Sequence, residues 1–311
     1  MNTMTNITVN DTIQPLLIDA QEYMRFSGRY YLCDVEYVQT SQAEEKCKLT
    51  LSDSSGTLEV YARYEQLKNE AILVDTMLHV DVAKSIIGEQ SIRVCKLLVC
   101  ADDCETIGTS LAALPIAKCP RPDIFKALLV MESRIESDVM KEFLCDVLLQ
   151  KHVAAAYLEC PASLNGHHSC GAGLLEHSIN VAWNILGVQA FKPIERDTAI
   201  VAALLHDIGK TQTLTNQQRP TRLGCRVDPH HLTLELCAKA LRKLDAKAPL
   251  LAERLREAWI ALIPEGSSTR GDKLLLIDAL ERSKHFSIEG EQSMAFLADA
   301  EMGVPVTSAN H

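Results

Sequence analysis

The chain is 311 residues long, 47% hydrophobic but only 5% aromatic, with a formal net charge of −10. Such a composition suits a globular protein of two domains or one large one, with cores built mainly from Leu, Ile, Val and Ala. No apolar run approaches the roughly 20 residues of a membrane-spanning helix, and the first residues, MNTMTNITVNDTIQPLL, carry no basic, apolar leader.

Eleven cysteines without a single Cys-x-x-Cys spacing fit reduced, mostly buried thiols in a cytoplasm rather than a disulfide scaffold. The acidic balance argues at first sight against nucleic-acid binding, whose electrostatic footprint is usually basic.

Residues 1–21 read as an N-terminal arm. From 22 to 104 the pattern is that of strands. Phe26 to Val38 is rich in β-formers, a charged turn follows at 41–46, and Cys47 to Leu51 resumes the pattern. Asp53-Ser-Ser-Gly56 is turn chemistry before Thr57 to Tyr61. Ala62 to Asn69 reads as a short helix, and Met77 to Ala83 and Ser91 to Val99 are two further strands joined by a turn at Gly88. Five strands with a helix between the third and fourth is the element order of an OB-fold barrel.

Residues 105–121 predict an extended linker, with three prolines from Leu114 to Pro122. From Pro122 to about Phe286 the apolar spacing is helical, with segments at 122–135, 137–150, 173–187, 195–208, 229–243, 249–262 and 270–284. Asp228-Pro229 supplies an N-cap and a proline for the first helical position, and Gly209 predicts a C-cap. Residues 287–311 read as a weakly structured tail. The fold class expected is therefore multidomain, an all-β barrel followed by an all-α domain over 122–286.

Histidines mark the helical region. His177 lies in the first turns of Gly173-Leu-Leu-Glu-His-Ser-Ile-Asn-Val-Ala-Trp183, and His206-Asp207 ends the apolar stretch that starts at Thr198. His230 and His231 open another helix. Imidazole and carboxylate suit divalent cations such as Mn, Fe, Zn or Mg, and an apolar helix that ends in two ionisable groups needs a reason to bury them. A capping His or Asp in an ordinary helix is the plainer explanation of each residue taken singly.

Together, Gly-Leu-Leu-Glu-His177 and Ala-Leu-Leu-His206-Asp207-Ile-Gly-Lys210 resemble the HD superfamily of metal-dependent phosphohydrolases. Pro161-Ala-Ser-Leu-Asn-Gly-His167-His168, with the Leu51 to Glu59 stretch upstream, is similar to the YhaM-type 3′→5′ exoribonucleases, whose order is OB then HD. The region from His230 to Trp259 looks more like the HD domain of MobH-type conjugative relaxases.

The resemblance implies His177, His206 and Asp207 as ligands of a divalent metal, with Asp207 able to bridge two ions and Lys210 facing a substrate phosphate. It puts the next ligand at His231, or at His230, and leaves His167 and His168 to line the site or to hold a second ion. A closing acidic ligand is sought among Asp272, Asp278 and Glu281, with Asp278 preferred because it interrupts an apolar run. A His-His-Gly of the exonuclease group is missing from Trp259 to Gly266.

The function implied is metal-dependent hydrolysis of phosphodiesters in single-stranded RNA or DNA, most like a 3′→5′ exonuclease. Alternatives are hydrolysis of a small nucleotide, and a nucleic-acid-binding protein of a mobile element with a degraded site. Asp207 and Lys210 would serve catalysis, Arg222 and Arg226 would bind phosphate, and Tyr31 and Tyr61 would stack on bases. No membrane partner is expected, and a homo-oligomer is compatible with the sequence. Charge does not oppose this reading: residues 120–286 are nearly balanced, and Lys210, Arg219, Arg222 and Arg226 follow the His-Asp pair with no acid among them.

Overall fold

The structure is a computed structural model and describes residues 14–38, 46–69, 74–87, 90–100, 110–166, 168–263 and 275–289. They divide into two compact units, a β-unit that takes in Ala112–Ala117 and a helical unit that continues from Lys118.

The β-unit contains β1 (Arg25–Val38), β2 (Lys46–Asp53), β3 (Gly56–Arg63), α1 (Tyr64–Asn69), β4 (Thr76–Ile87) and β5 (Gln90–Cys100). The strands close into a barrel in the order β1-β2-β3-β5-β4. All neighbours are antiparallel except β3 and β5, which meet in parallel where Tyr61 faces Val94. Alternation explains the core. Leu49 and Leu51 on β2, and Leu78, Val80 and Val82 on β4, point inward two residues apart and meet Phe26, Tyr30, Val60 and Leu98. Phe26 and Tyr30 pack edge to face at 5.8 Å. Leu67 of α1 joins this core, as do Leu17 and Ala20 from the segment expected to be an arm.

The expected extended linker is instead partly coiled. It forms two 3₁₀ turns, Leu111–Ala113 and Ile116–Lys118, because Leu111 and Leu114 are buried and the Ala112 carbonyl accepts from Ser54 N–H at 2.9 Å.

The helical unit runs through α2 (Pro122–Arg134), α3 (Asp138–Leu148), α4 (Ala154–Glu159), α5 (Gly173–Leu186), α6 (Pro193–Leu205), α7 (Lys210–Thr213), α8 (Pro229–Lys247), α9 (Pro249–Ala261) and α10 (Leu275–Glu289). Four of these helices, α2, α6, α8 and α9, start on proline, whose missing N–H costs nothing in a first turn. The expected cap of α8 is present, with Asp228 accepting from His230 N–H at 2.8 Å. At the centre lies α6, where every residue from Ala199 to Leu205 is fully buried, as expected of a helix that is apolar all round. α5, α9, α10 and α3 pack about it.

Candidate metal centre

The C-terminal end of α6 places two side chains, and its carbonyls explain how. The last carbonyls of a helix lack partners within it and must find them elsewhere. Here Ala202 O accepts from Trp259 Nε1 at 3.1 Å, Leu204 O from Tyr157 Oη at 2.8 Å, and Ala203 O from His206 Nδ1 at 2.7 Å. The His206 carbonyl itself accepts from Thr233 Oγ1 at 3.2 Å. A carbonyl only accepts, so His206 carries its hydrogen on Nδ1 and turns the lone pair of Nε2 away from the helix end.

That lone pair faces two further ligand atoms. His206 Nε2 lies 3.2 Å from His177 Nε2 and 3.4 Å from Asp207 Oδ2, and His177 Nε2 is 3.5 Å from the same oxygen. Donors bound at about 2.1 Å to one ion, at right or tetrahedral angles, stand roughly 3.0–3.4 Å apart. The three atoms therefore have the spacing and the chemistry of a divalent-metal site, and they form a ligand group among the described residues. All three side chains are buried, Asp207 completely.

The electrostatics favour a cation. Burial pushes the His177 imidazole down to about 2 and that of His206 to about 4, so both rings are neutral at neutral pH. Burial alone would raise the Asp207 carboxyl. His206 and the ammonium groups of Lys210 and Lys284 outweigh it and hold the group well below the usual carboxylate range. Lys210 Nζ lies 2.5 Å from Oδ2. The other oxygen, Oδ1, is buried and has no hydrogen bond among the described residues, and neither has His230 Nδ1 at 3.5 Å from it. A buried carboxylate oxygen needs compensation, and here the nearest charge is the Lys284 ammonium, 3.7 Å from Oδ1.

Close backbone approach holds these elements together. A Cβ on Gly209 would stand 1.9 Å from the Pro229 carbonyl oxygen, so only glycine lets the start of α8 reach Asp207. The C-cap expected at Gly209 falls instead on His206, and Gly209, with φ −58°, serves close contact rather than chain reversal. Gly173 serves similarly, since a Cβ there would meet His168 O at 2.0 Å. That approach seats His168, itself left-handed at φ 56°, with its ring 5.6 Å from that of His177 and Nδ1 3.0 Å from Glu176 Oε2. The bond from His168 leads in holding the Glu176 carboxyl below its usual range.

The predicted residues fall into three groups. His177, His206, Asp207 and Lys210 come together, with His230 and His168 beside them. Arg222 and Arg226 lie, with Arg219, on the exposed stretch between α7 and α8, with no acidic partner among the described residues. Tyr61 is half-buried on β3.

Three expectations are corrected. His231 is exposed, because one step along a helix turns the side chain by about 100°, and it is His230 that faces Asp207. Asp278 is paired with Arg282 one turn on, at 3.1 Å to Nε, and takes no part in the ligand group. Tyr31 is fully buried, which leaves no ring face for a base. Glu281 does not join the group either; His167 and Asp272 lie outside the described residues. Lys284 was missed, although one signal for it existed. It stands four residues after Leu280, on the side of α10 that buries Leu276, Ala279, Leu280 and Ser283.

The described residues thus form a closed β-barrel followed by a helical unit that holds a buried His-His-Asp cluster. Residues 174–283 match the HD domain, whose members are in general metal-dependent hydrolases. The matched span begins in α5 and ends in α10, and so contains every ligand of the cluster. No curated protein matches the chain.

Proposed function

We propose that the chain is a metal-dependent phosphodiesterase acting on single-stranded RNA or DNA, shortening it from the 3′ end. The observation that carries this reading is the cluster itself: two neutral imidazoles and one carboxylate oxygen whose ligand atoms lie within 3.5 Å of one another. His177, His206 and Asp207 would hold the ion, and a divalent cation there supplies Lewis acidity toward phosphate and water. Lys210 holds positive charge on the Asp207 carboxylate and is part-exposed, so its ammonium is available to a phosphate oxygen. Arg219, Arg222 and Arg226 add an exposed basic loop next in sequence, suited to successive phosphates of a strand.

The barrel supports a strand rather than a mononucleotide as substrate. Its strand order, with α1 between β3 and β4, supports reading it as an OB fold, a common platform for single strands. With Tyr31 buried, the stacking surface on offer is Tyr37, which is 68% exposed and packs edge-on to Tyr64 at 5.6 Å. Arg63 is exposed beside Tyr64 in sequence.

The test is a 5′-labelled single-stranded oligonucleotide, RNA or DNA, incubated with the purified chain and Mn²⁺. A ladder shortening from the 3′ end is expected, with none for His206→Ala. Phosphate release from free nucleotides with no shortening of either strand would instead assign the site to small nucleotides. No turnover with any divalent metal would overturn the hydrolase reading.

A further inference from the structure

We propose that Lys284 occupies the place of a second cation in this centre, so that the chain binds one divalent ion and supplies the neighbouring positive charge itself. This rests on the metal-dependent reading above and specifies the composition of that site.

The Asp207 carboxylate has two differently furnished sides. Oδ2 faces His177, His206 and Lys210. Oδ1 faces His230 Nδ1 at 3.5 Å and Lys284 Nζ at 3.7 Å. A histidine nitrogen and the free oxygen of a carboxylate already engaged on its other side are the start of a second metal site, since two-metal centres share such a carboxylate between ions about 3.5–4 Å apart. The ammonium of Lys284 stands against both of these groups, 3.2 Å from His230 Nε2.

Lys284 is held there. It follows Ser283, which is buried and whose carbonyl accepts from Asn184 of α5 at 3.4 Å. Its side chain keeps 22% exposure, enough to stay hydrated at the head while its stem lies on the apolar side of α10. The acid that could have completed a second ligand set, Asp278, is committed to Arg282. A second divalent ion beside Oδ1 would therefore meet a like charge and find no further ligand among the described residues, whereas the lysine delivers one positive charge with no binding equilibrium.

The experiment is a metal count. The full-length chain, stripped of metal, is titrated with Mn²⁺ and analysed by calorimetry, elemental analysis and electron paramagnetic resonance. One Mn²⁺ per chain, with the spectrum of an isolated ion, is the expected result. Two ions per chain would overturn the inference and leave the hydrolase reading standing; no bound ion would remove that reading and the inference with it. Lys284→Glu should raise the count to two and produce a spin-coupled spectrum, and a count that stays at one in a folded variant would overturn the proposal. Should circular dichroism show that Lys284→Glu does not fold, Lys284→Gln decides: with the like charge gone, the single Mn²⁺ should bind at least about threefold more tightly. Unchanged affinity in that variant would equally overturn it.

Discussion

Among the described residues two aspartates are completely buried, Asp53 in the barrel and Asp207 in the helical domain. Asp53 closes the β2–β3 hairpin. One of its oxygens accepts from Ser55 N–H at 2.8 Å, Ser55 Oγ at 2.6 Å and Gly56 N–H at 3.3 Å; the other accepts from Leu17 N–H at 2.8 Å. Its partners are neutral dipoles, and every one belongs to the local fold. Asp207 has no backbone donor among its described partners. Around it stand two lysines and three histidines, and one of its oxygens has no hydrogen bond among the described residues. Burial is the same in both cases; what separates the two carboxyl groups is whether neutral donors satisfy them.

The largest expected effect breaks the centre without breaking the fold. Asp207→Asn should lower Mn²⁺ affinity by more than about a hundredfold, since changing even the outer partners of metal ligands costs 10–100-fold. Stability should change by no more than about 1 kcal/mol, because Lys210 and Lys284 both have solvent access and can turn outward once the carboxylate charge is gone. Calorimetry and urea unfolding measure the two quantities. A large stability loss with intact metal binding would put Asp207 in the same class as Asp53.

The reverse experiment is Asp53→Ala. It leaves the buried Leu17 N–H and the hairpin donors without their acceptor, at about 2–4 kcal/mol. Mn²⁺ affinity should not change. The two tryptophans, Trp183 and Trp259, both lie in the helical unit, whereas six of the seven tyrosines lie in the first 64 residues. Tyrosine emission and far-ultraviolet dichroism should thus report an earlier transition in the variant while tryptophan emission is unmoved. A shifted tryptophan transition would show that the two aspartates do not serve separate cooperative units.

Sequence made the two aspartates legible to different degrees. Asp53-Ser-Ser-Gly56 is a turn by local chemistry alone, and alternation placed the barrel strands on either side of it. Asp207 stood out because a run of seven buried apolar residues ends in His-Asp. The residues around it were harder to read, because their direction depends on tertiary packing. The choice between His230 and His231 is a rotation of one residue on α8, settled by the Gly209–Pro229 contact. Asp278 interrupts an apolar run as a ligand would, yet an arginine one turn away satisfies it on the surface of α10. The tyrosines show the same limit. Tyr30 and Tyr31 are adjacent, so alternation sends them to opposite faces, but both are fully buried. Strand period identifies an inward face and says nothing of what covers the outward one.

The smallest expected effect concerns protons. Asp207 has its folded-state carboxyl held low, so its contribution to stability persists above the ordinary carboxylate range and is lost only in strong acid, as pH falls through the depressed folded value. His177 and His206 act in the same direction, but at higher pH. Both are depressed from 6.5, to about 2 and about 4, so the unfolded chain takes up protons on these rings where the folded chain does not. Stability of the metal-free protein should therefore fall as pH drops below 6.5, by roughly 1 kcal/mol per histidine between about pH 7.5 and 6. His206→Gln should flatten that slope, and saturating Mn²⁺ should raise the whole curve by binding only the folded state. Asp53 has no such rings beside it, so Asp53→Ala should keep the acid slope of the wild type. A slope shared equally by the His206→Gln variant would place the responsible protons elsewhere in the chain.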